Sequence, residues 1–388
     1  MSTQLLSKSA HQTREDVQEL LASSAAGLVQ MFDPQRQLFC TKMIRTEEGM
    51  VQEGISPRYT MITLMGLHRL EQAGQPSPIA ISPSFETLFS DSSWINNAGD
   101  LGLLLWLCAL VSPDRIFEFF TRHDLNAALE KFADAREHRT MELSWILSGL
   151  AHAAHAEKEL REKLSPLASK LYATIRGNRE SHAIFGHQTN SGGLKGRLRG
   201  RLGSFADQVY PIYAFAWAHR AFGFGGALDS SLACAEAICA AQGPRGQWWW
   251  HYDAKSGQAV GKYPVYSVHQ HGMAPLALFA VADVGGKDFS RELYLGLEWI
   301  YGANELHQDM RDADTKVVWR CIRPAKSRRY LDQARAMLHL HYGAQTPPSD
   351  LHVLHECWPY ELGWLLYAFA GRAQSATSND LAVSRDAF

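Results

Sequence analysis

Tyr210-Pro-Ile-Tyr-Ala-Phe-Ala-Trp217 has no polar side when wound as a helix. A helix apolar around its whole circumference belongs inside a protein. Ser290-Arg-Glu-Leu-Tyr-Leu-Gly-Leu-Glu-Trp299 is the complementary kind, with charged residues on one face and apolar residues on the other. Segments of the two kinds alternate, which predicts an inner ring of buried helices inside an outer ring of amphipathic ones. Helical periodicity predicts helices over 13–31, 57–72, 98–111, 114–134, 142–155 and 157–176, then 205–222, 228–242, 269–283, 288–302, 326–342 and 360–372. Twelve helices make six hairpins. The expected fold is all-α, an (α/α)6 toroid formed by residues 1–388 as one domain. Period-2 strand patterns are scarce, and candidates such as Val317–Ile322 are short.

Composition agrees and excludes several classes. The 388 residues are 46% hydrophobic and 20% charged, as in a globular chain with a large core. Length alone suggests about two domains at roughly 150 residues each, yet no linker divides the helices. Mean hydropathy is -0.22, and the longest apolar run, Leu101–Val111, is about half of the roughly 20 residues that span a bilayer. Net charge is -2, without the basic excess of a nucleic-acid binder. The six cysteines form no CxxC pair, which argues against a zinc ribbon or a disulfide scaffold. The first residues, MSTQLLSKSAHQTRED, lack an apolar signal core. A reducing, cytoplasmic setting is expected, with no metal site.

The longer connections, about 177–203, 243–267, 303–325 and 343–358, carry Trp, Tyr, His and Arg. Long loops of that composition in a compact fold point to function. In a toroid alternate loops gather at one mouth, so the site is expected there, built mainly by residues 200–365.

Gln242-Gly-Pro-Arg-Gly-Gln-Trp-Trp-Trp-His-Tyr-Asp253 is the densest of these segments. Trp248, Trp249 and Trp250 cannot all enter one core, so at least one is expected to face a cavity or solvent and stack a substrate. His251 and Asp253, two apart, would share one side of an extended loop. Asp253 suits acid or base work and suits capping the following turn equally well. Tyr266, His269 and His271 cluster where a helix begins. The helix N-terminus favours neutral, basic imidazoles, and a His–Tyr cluster suits general acid–base chemistry. Asp309 and Asp312, in a loop also holding Arg311, Asp314 and Arg320, are candidate carboxylate partners or members of ion pairs. Arg320 is a candidate for binding an anionic group. Asp207 and Tyr210 open another helix; Asp207 fits a cap or a cavity contact. Lys195, Arg197, Arg199 and Arg201 alternate with Gly and Leu, four like charges that read as a solvated flap or as a gate over an anionic substrate. Asn96, Asn97 and Asp100 read as helix caps. Glu361 also has a capping explanation, while Glu356 precedes its helix and is a substrate-binding candidate.

Gln242-x3-Gly246-x-Trp248 after an Ala-rich helix resembles the QW element of squalene-cyclase and prenyltransferase toroids. It occurs once, with no Asp-x-Asp-Asp acid motif and no Asp-Asp-x-x-Asp diphosphate motif. Phe205–Asp253 resembles the hairpins of six-hairpin sugar enzymes, the unsaturated glucuronyl hydrolases and N-acylglucosamine epimerases. That resemblance covers architecture over about 150 residues, and its catalytic motifs do not carry over residue by residue.

Three functions follow as expectations. The first is a carbohydrate-active enzyme, a hydrolase, lyase or epimerase, acting on an acidic or modified sugar by His/Tyr/carboxylate chemistry without a cofactor. The second is a terpene cyclase-like enzyme on an isoprenoid diphosphate, for which Mg2+ would serve. The third is a non-catalytic toroid that binds a glycan or protein. Polar residues beside aromatics favour the sugar, whose ring edge needs hydrogen bonds and whose face needs stacking.

Overall fold

The computed structural model describes residues 10–132, 139–179, 181–188, 200–325 and 348–372, with side chains from residue 15 onward other than that of Phe132. The predicted helix 326–342 and the flap residues Lys195, Arg197 and Arg199 lie outside the described residues. Thirteen α-helices occur among those described. They are α1 (Ala10–Val29), α2 (Pro57–Gln72), α3 (Ile81–Ser90), α4 (Ala98–Val111), α5 (Ile116–Arg122), α6 (Leu125–Phe132) and α7 (Thr140–Ala156). The remainder are α8 (Leu160–Gly177), α9 (Ala206–Phe222), α10 (Ala227–Ala240), α11 (Ala274–Asp283), α12 (Ser290–Ile300) and α13 (Pro359–Phe369).

Six of them form a closed inner ring. Helix α2 packs on α4, α4 on α7, α7 on α9, α9 on α11, α11 on α13, and α13 returns to α2. The inner helices are the ones without a polar face: in α4 every residue from Ala98 to Ala109 is buried, and in α9 every residue from Asp207 to Ala218. Outside them lie α1, α3, α5 with α6, α8, α10 and α12. Glycine sets the closest approaches. A Cβ on Gly102 would lie 2.5 Å from the Ile146 backbone, and one on Gly66 would lie 2.2 Å from the Gly363 carbonyl. The α4–α7 and α2–α13 contacts therefore depend on missing side chains.

The structure is the expected toroid of paired helices, with corrected pairings. Helix α3 has no counterpart among the predicted helices, although Ser84, Phe85, Leu88 and Phe89 bury one face of it. The predicted helix 114–134 is two helices, because Asp124 ends one and caps the next through the backbone N–H groups of Asn126 and Ala127, at 2.8 and 3.1 Å.

Eleven short strands occur among the described residues, more than the scarce candidates such as Val317–Ile322 suggested. They pair as β1–β2 (Phe32–Asp33, Leu38–Phe39) and as β11–β3–β4 (Glu356–Cys357, Lys42–Thr46, Gly49–Glu53). Two more sheets are β5–β6–β7 (Leu202–Ser204, His251–Asp253, Ala259–Gly261) and β10–β9–β8 (His352–Leu354, Cys321–Arg323, Val265–Tyr266). Every strand lies in a segment leading into the N-terminus of α2, α9, α11 or α13. Since the six inner helices run in one direction, all of these strands decorate one mouth of the toroid.

Aromatic side chains fill the middle of the ring. Trp106 of α4 reaches across it, with its ring 4.7 Å from Tyr213 of α9 and 5.5 Å from Trp364 of α13. Neither partner helix neighbours α4 in the ring, so these contacts cross its axis. Trp364 donates through Nε1 to the Tyr210 hydroxyl at 3.0 Å, and Tyr210 meets Trp145 edge to face at 5.3 Å. Trp106 and Trp364 are fully buried.

Candidate active site

The strand-decorated mouth gathers charge from the first turns of the inner helices. Ser56 caps α2, accepting from the Tyr59 N–H at 3.2 Å, and Pro57 opens the helix. This presents Arg58 and Tyr59 at the mouth. Asn97 caps α4 and places Asp100 in the same layer. Arg58 Nε donates to Asp100 Oδ1 at 2.6 Å, while Asp100 Oδ2 accepts from the Asn96 N–H at 3.1 Å. The arginine also covers the Trp145 ring at 5.5 Å.

Glu142, in the first turn of α7, adjoins this pair. A Cβ on Gly99 would lie 3.0 Å from the Glu142 Cα, so α4 and α7 begin almost in contact. Burial raises the Glu142 carboxyl above the ordinary glutamate range, and the Asp100 charge adds to that against the pull of Arg139 and Arg58. Asp100, held to an arginine, and Glu142, pushed toward its protonated form, are two neighbouring carboxyls in contrasting surroundings. That contrast separates acid from base. His187 lies within electrostatic reach of Glu142 and bonds through Nδ1 to Asp207 Oδ2 at 2.9 Å.

The facing wall is aromatic and cationic. Arg320 donates to Glu361 Oε1 at 2.5 Å and lies 3.5 Å from the centre of the Trp358 ring and 5.1 Å from that of Tyr266. Burial drives the Glu361 carboxyl up, to about 7, against the pull of Arg320. Tyr59 stands between Trp358 and Tyr360 at 5.4 and 4.7 Å, and Trp250 meets Tyr266 edge to face at 5.6 Å. Trp250, Tyr266, Trp358, Tyr59 and Tyr360 are all half-buried. They form a continuous rim from the loop before α11 to the start of α2.

Of the residues singled out in the sequence, the structure brings Trp250, Tyr266 and Arg320 together here. Glu356 sits behind them, accepting from Trp358 Nε1 at 3.3 Å and pairing with Lys42 at 3.7 Å. His251 is half-buried with its ring 4.3 Å from that of Trp250.

Other assignments need correction. Trp248 is fully buried against Phe205, at 5.7 Å, and Trp249 is buried with its Nε1 on the Ala241 carbonyl, so neither can stack a substrate. Tyr210 belongs to the central aromatic stack. His269 and His271 lie in a π-helical turn that directs both into the core. His269 donates through Nδ1 to the Trp248 carbonyl at 3.3 Å, while neither ring nitrogen of His271 has a partner among the described residues. Burial lowers both to about 3, making them weak bases. Asp253 binds Arg201 at 3.0 Å and Ser256 at 2.8 Å, and it caps the turn at the Lys255 N–H. Burial opposes its charge, but those bonds hold its carboxyl below the ordinary range. Asp309 is exposed and paired with Arg311, which also reaches Glu19 on the outer helix α1. Asp312 pairs with Arg45 and caps Thr315. Neither aspartate partners the histidines. At the start of α9 the Asp207 N–H donates to Ser204 Oγ, while Asp207 Oδ2 accepts from the Ser204 hydroxyl and N–H; its buried Oδ1 has no partner among the described residues. Gln242 of the QW-like element ties its loop to α12 through the Glu292 carbonyl at 2.9 Å.

The site thus draws on the first half of the chain more than expected. Arg58, Tyr59 and Glu142 were not anticipated, and Asp100 was read only as a cap. The available signal was an acid in the first turn of four of the six inner helices: Asp100, Glu142, Asp207 and Glu361.

Among the described residues no group of three or more His, Cys, Asp or Glu side chains could hold a metal ion. No described helix is long and apolar enough to cross a membrane.

No protein-family model matches the chain, and no curated protein matches its sequence. Solved structures do match in fold. The unsaturated glucuronyl hydrolase of Bacillus sp. GL1, described as responsible for the degradation of glycosaminoglycan, aligns at TM-score 0.58 and 12% identity over 93% of this chain and 96% of that one. A possible GH105 family member from Salmonella enterica aligns at TM-score 0.58 and 10% identity over 96% and 97%. A glycosyl hydrolase family 88 protein from Bacteroides vulgatus aligns at TM-score 0.56 and 10% identity over 93% and 99%. At these identities the similarity is one of fold, the α/α toroid.

Proposed function

We propose that the chain is a carbohydrate-active enzyme, a hydrolase that removes an acidic sugar from the end of a glycan at the strand-decorated mouth. The observation that carries this reading is the Asp100–Arg58 pair beside Glu142, an arginine-bound carboxyl next to one raised by burial, at adjacent helix starts. Glycoside hydrolysis uses such a couple. One carboxylic acid protonates the leaving oxygen, and a second, ionised carboxylate directs water or stabilises the positive sugar ring. Glu142 takes the first role and Asp100 the second. Arg58 and Arg320 supply cations for the acid group of the sugar, and Trp250, Tyr266 and Trp358 supply ring faces for stacking.

The glucuronyl hydrolases among the structural neighbours support the choice of an acidic sugar. Arg58, Asp100, Glu142 and Arg320 beside the aromatic rim favour a sugar over an isoprenoid. Arg197 and Arg199 belong to the proposal as further contacts to the anionic group. The proposed partner is a small-molecule sugar, the reaction needs no cofactor, and the setting is cytoplasmic, which cysteines scattered without a paired motif support.

The test is turnover on oligosaccharides ending in glucuronate or unsaturated glucuronate, read as release of the end sugar. Glu142→Gln and Asp100→Asn should each cut turnover by about 10²–10⁴ while the protein stays folded. If wild type releases nothing from any acidic-sugar substrate, or if both variants match it, the proposal fails.

A further inference from the structure

Arg320 is the cation of the aromatic wall, and its charge is already committed. Nη1 donates to Glu361 Oε1, the only side-chain hydrogen bond of Arg320 to a described residue. The guanidinium lies 3.5 Å from the Trp358 ring centre and 5.1 Å from that of Tyr266, at the rim. Glu361, in the first turn of α13, is 1% exposed. Its second oxygen accepts from the Trp358 N–H at 3.3 Å. A carboxylate buried with one cation and one amide beside it depends on that cation to stay ionised.

The other titratable and charged groups on the elements around Glu361 do not replace the arginine. Glu356 of β11 opposes a second negative charge. Lys42 of β3 is bound by Glu53 and Glu356. Cys357 of β11 and Cys321 of β9 are thiols that burial holds above their ordinary range. Tyr59 of α2 and Tyr360 of α13 are phenols raised in the same way. Arg58 of α2 is turned to Asp100. His269 and His271 of the π-helical turn are lowered to about 3 by burial and are neutral. On α11, Asp283 pairs with Arg372. On α1, Asp16 and Glu19 lie by Tyr301, and Glu19 pairs with Arg311. Burial thus holds the Glu361 carboxyl up, at about 7, even beside Arg320.

An acidic sugar seated on the rim brings a second carboxylate to the same guanidinium. Two carboxylates sharing one site do not both stay ionised readily, and burial selects Glu361 as the one to be neutralised. We propose that Glu361 determines the specificity of this mouth: an anionic ligand binds at Arg320 together with one proton, drawn from solvent and held on the Glu361 carboxyl. The arginine then serves the ligand, while the neutral Glu361 still accepts from the Trp358 N–H. A neutral sugar leaves the Arg320–Glu361 pair intact and takes up no proton. The assignment rests on the acidic-sugar reading of this mouth and adds how the mouth tells an acid from a neutral sugar.

Calorimetric titration of the full chain with glucuronate and with glucose, in buffers of different ionisation enthalpy, counts the protons taken up on binding. At about pH 8.5 glucuronate should take up about one proton and glucose none. The ligand favours the protonated carboxyl, so glucuronate affinity should be level below about pH 7 and fall about tenfold per pH unit above it. Glu142→Gln should leave the uptake unchanged, which separates Glu361 from the other raised carboxyl. Glu361→Gln, which imitates the protonated form, should lose the uptake and bind glucuronate more tightly than wild type at about pH 8.5. If that variant does not fold, the buffer dependence of the wild type decides alone. Glucuronate bound without proton uptake, uptake that survives Glu361→Gln or vanishes in Glu142→Gln, or no glucuronate binding at any pH would overturn the proposal. Uptake is read without turnover. A chain that takes up the proton but releases no sugar would sink the hydrolase and keep this role of Glu361, and turnover with proton-free binding would do the reverse.

Discussion

Arg320 and Glu361 meet at 2.5 Å with only 11% and 1% of their side chains exposed, across 41 residues of sequence. The arginine stacks on Trp358 at the same time. Removing one partner from such a buried pair leaves the other without compensation, at a cost of about 3–5 kcal/mol. Arg320→Met should lose that much in urea unfolding. Arg320→Lys should recover only part of it, because an ammonium lacks the planar fork that both stacks and bonds. Replacing both residues together with apolar ones of similar volume should cost far less than Arg320→Met alone. A midpoint unmoved by Arg320→Met would show that the pair adds nothing.

Glu142 is assigned as the proton donor, so its protonated form is the active one. Its carboxyl is raised by burial, and kcat/KM should fall as pH rises through that raised value. Glu142→Gln should cost about 10²–10⁴ in rate, with melting unchanged. Glu142→Asp should keep the alkaline limb at a reduced rate. An alkaline limb that survives in Glu142→Gln belongs to another group.

His269 and His271 predict acid sensitivity. The unfolded chain binds their protons near pH 6.5, and the folded chain only near 3. Between those values the unfolded state holds more protons, so stability is full above about pH 6.5 and declines as pH falls toward 3. His271→Leu should flatten this decline in urea midpoints measured from pH 7 to pH 4. An unchanged slope together with abolished turnover would return His271 to catalysis.

The ring closes only where α13 meets α2, which joins residues near the two ends of the chain. Full-length protein should therefore melt in one calorimetric transition, and limited proteolysis should cut loops without releasing a folded half. Deleting 359–388 should abolish the cooperative transition. Two separate transitions in the intact chain would mean two domains.

The inner helices were readable because burial on all sides leaves a composition that admits no other place for them; α4 and α9 are the clearest cases. Helix α3 was hidden by Pro83 and by a short sequence, and its burial comes from packing on α2. The crowding of Trp, Tyr and Arg in the loops pointed to the strand-decorated mouth, where Trp250, Tyr266 and Arg320 do come together. The carboxyls there were harder to see. Asp100 and Arg58 are 42 residues apart, and Glu142 resembles any acid in a first helical turn; only ring geometry brings them together. The histidines misled for the converse reason. Their residue types suggested chemistry, but a π-helical turn, which no local pattern announces, faces them inward.

The stack of Trp106, Tyr213, Trp364, Tyr210 and Trp145 divides the toroid into two cups set base to base. A polymer cannot thread such a molecule. A glycan engaging either cup must present a terminus, and its next residues must leave by the way they came. Processive travel along an internal stretch of chain is therefore closed to this architecture. Under the proposed function, trimming would proceed from one end with release between successive cuts, and its rate would track the number of free termini instead of the length of chain behind them.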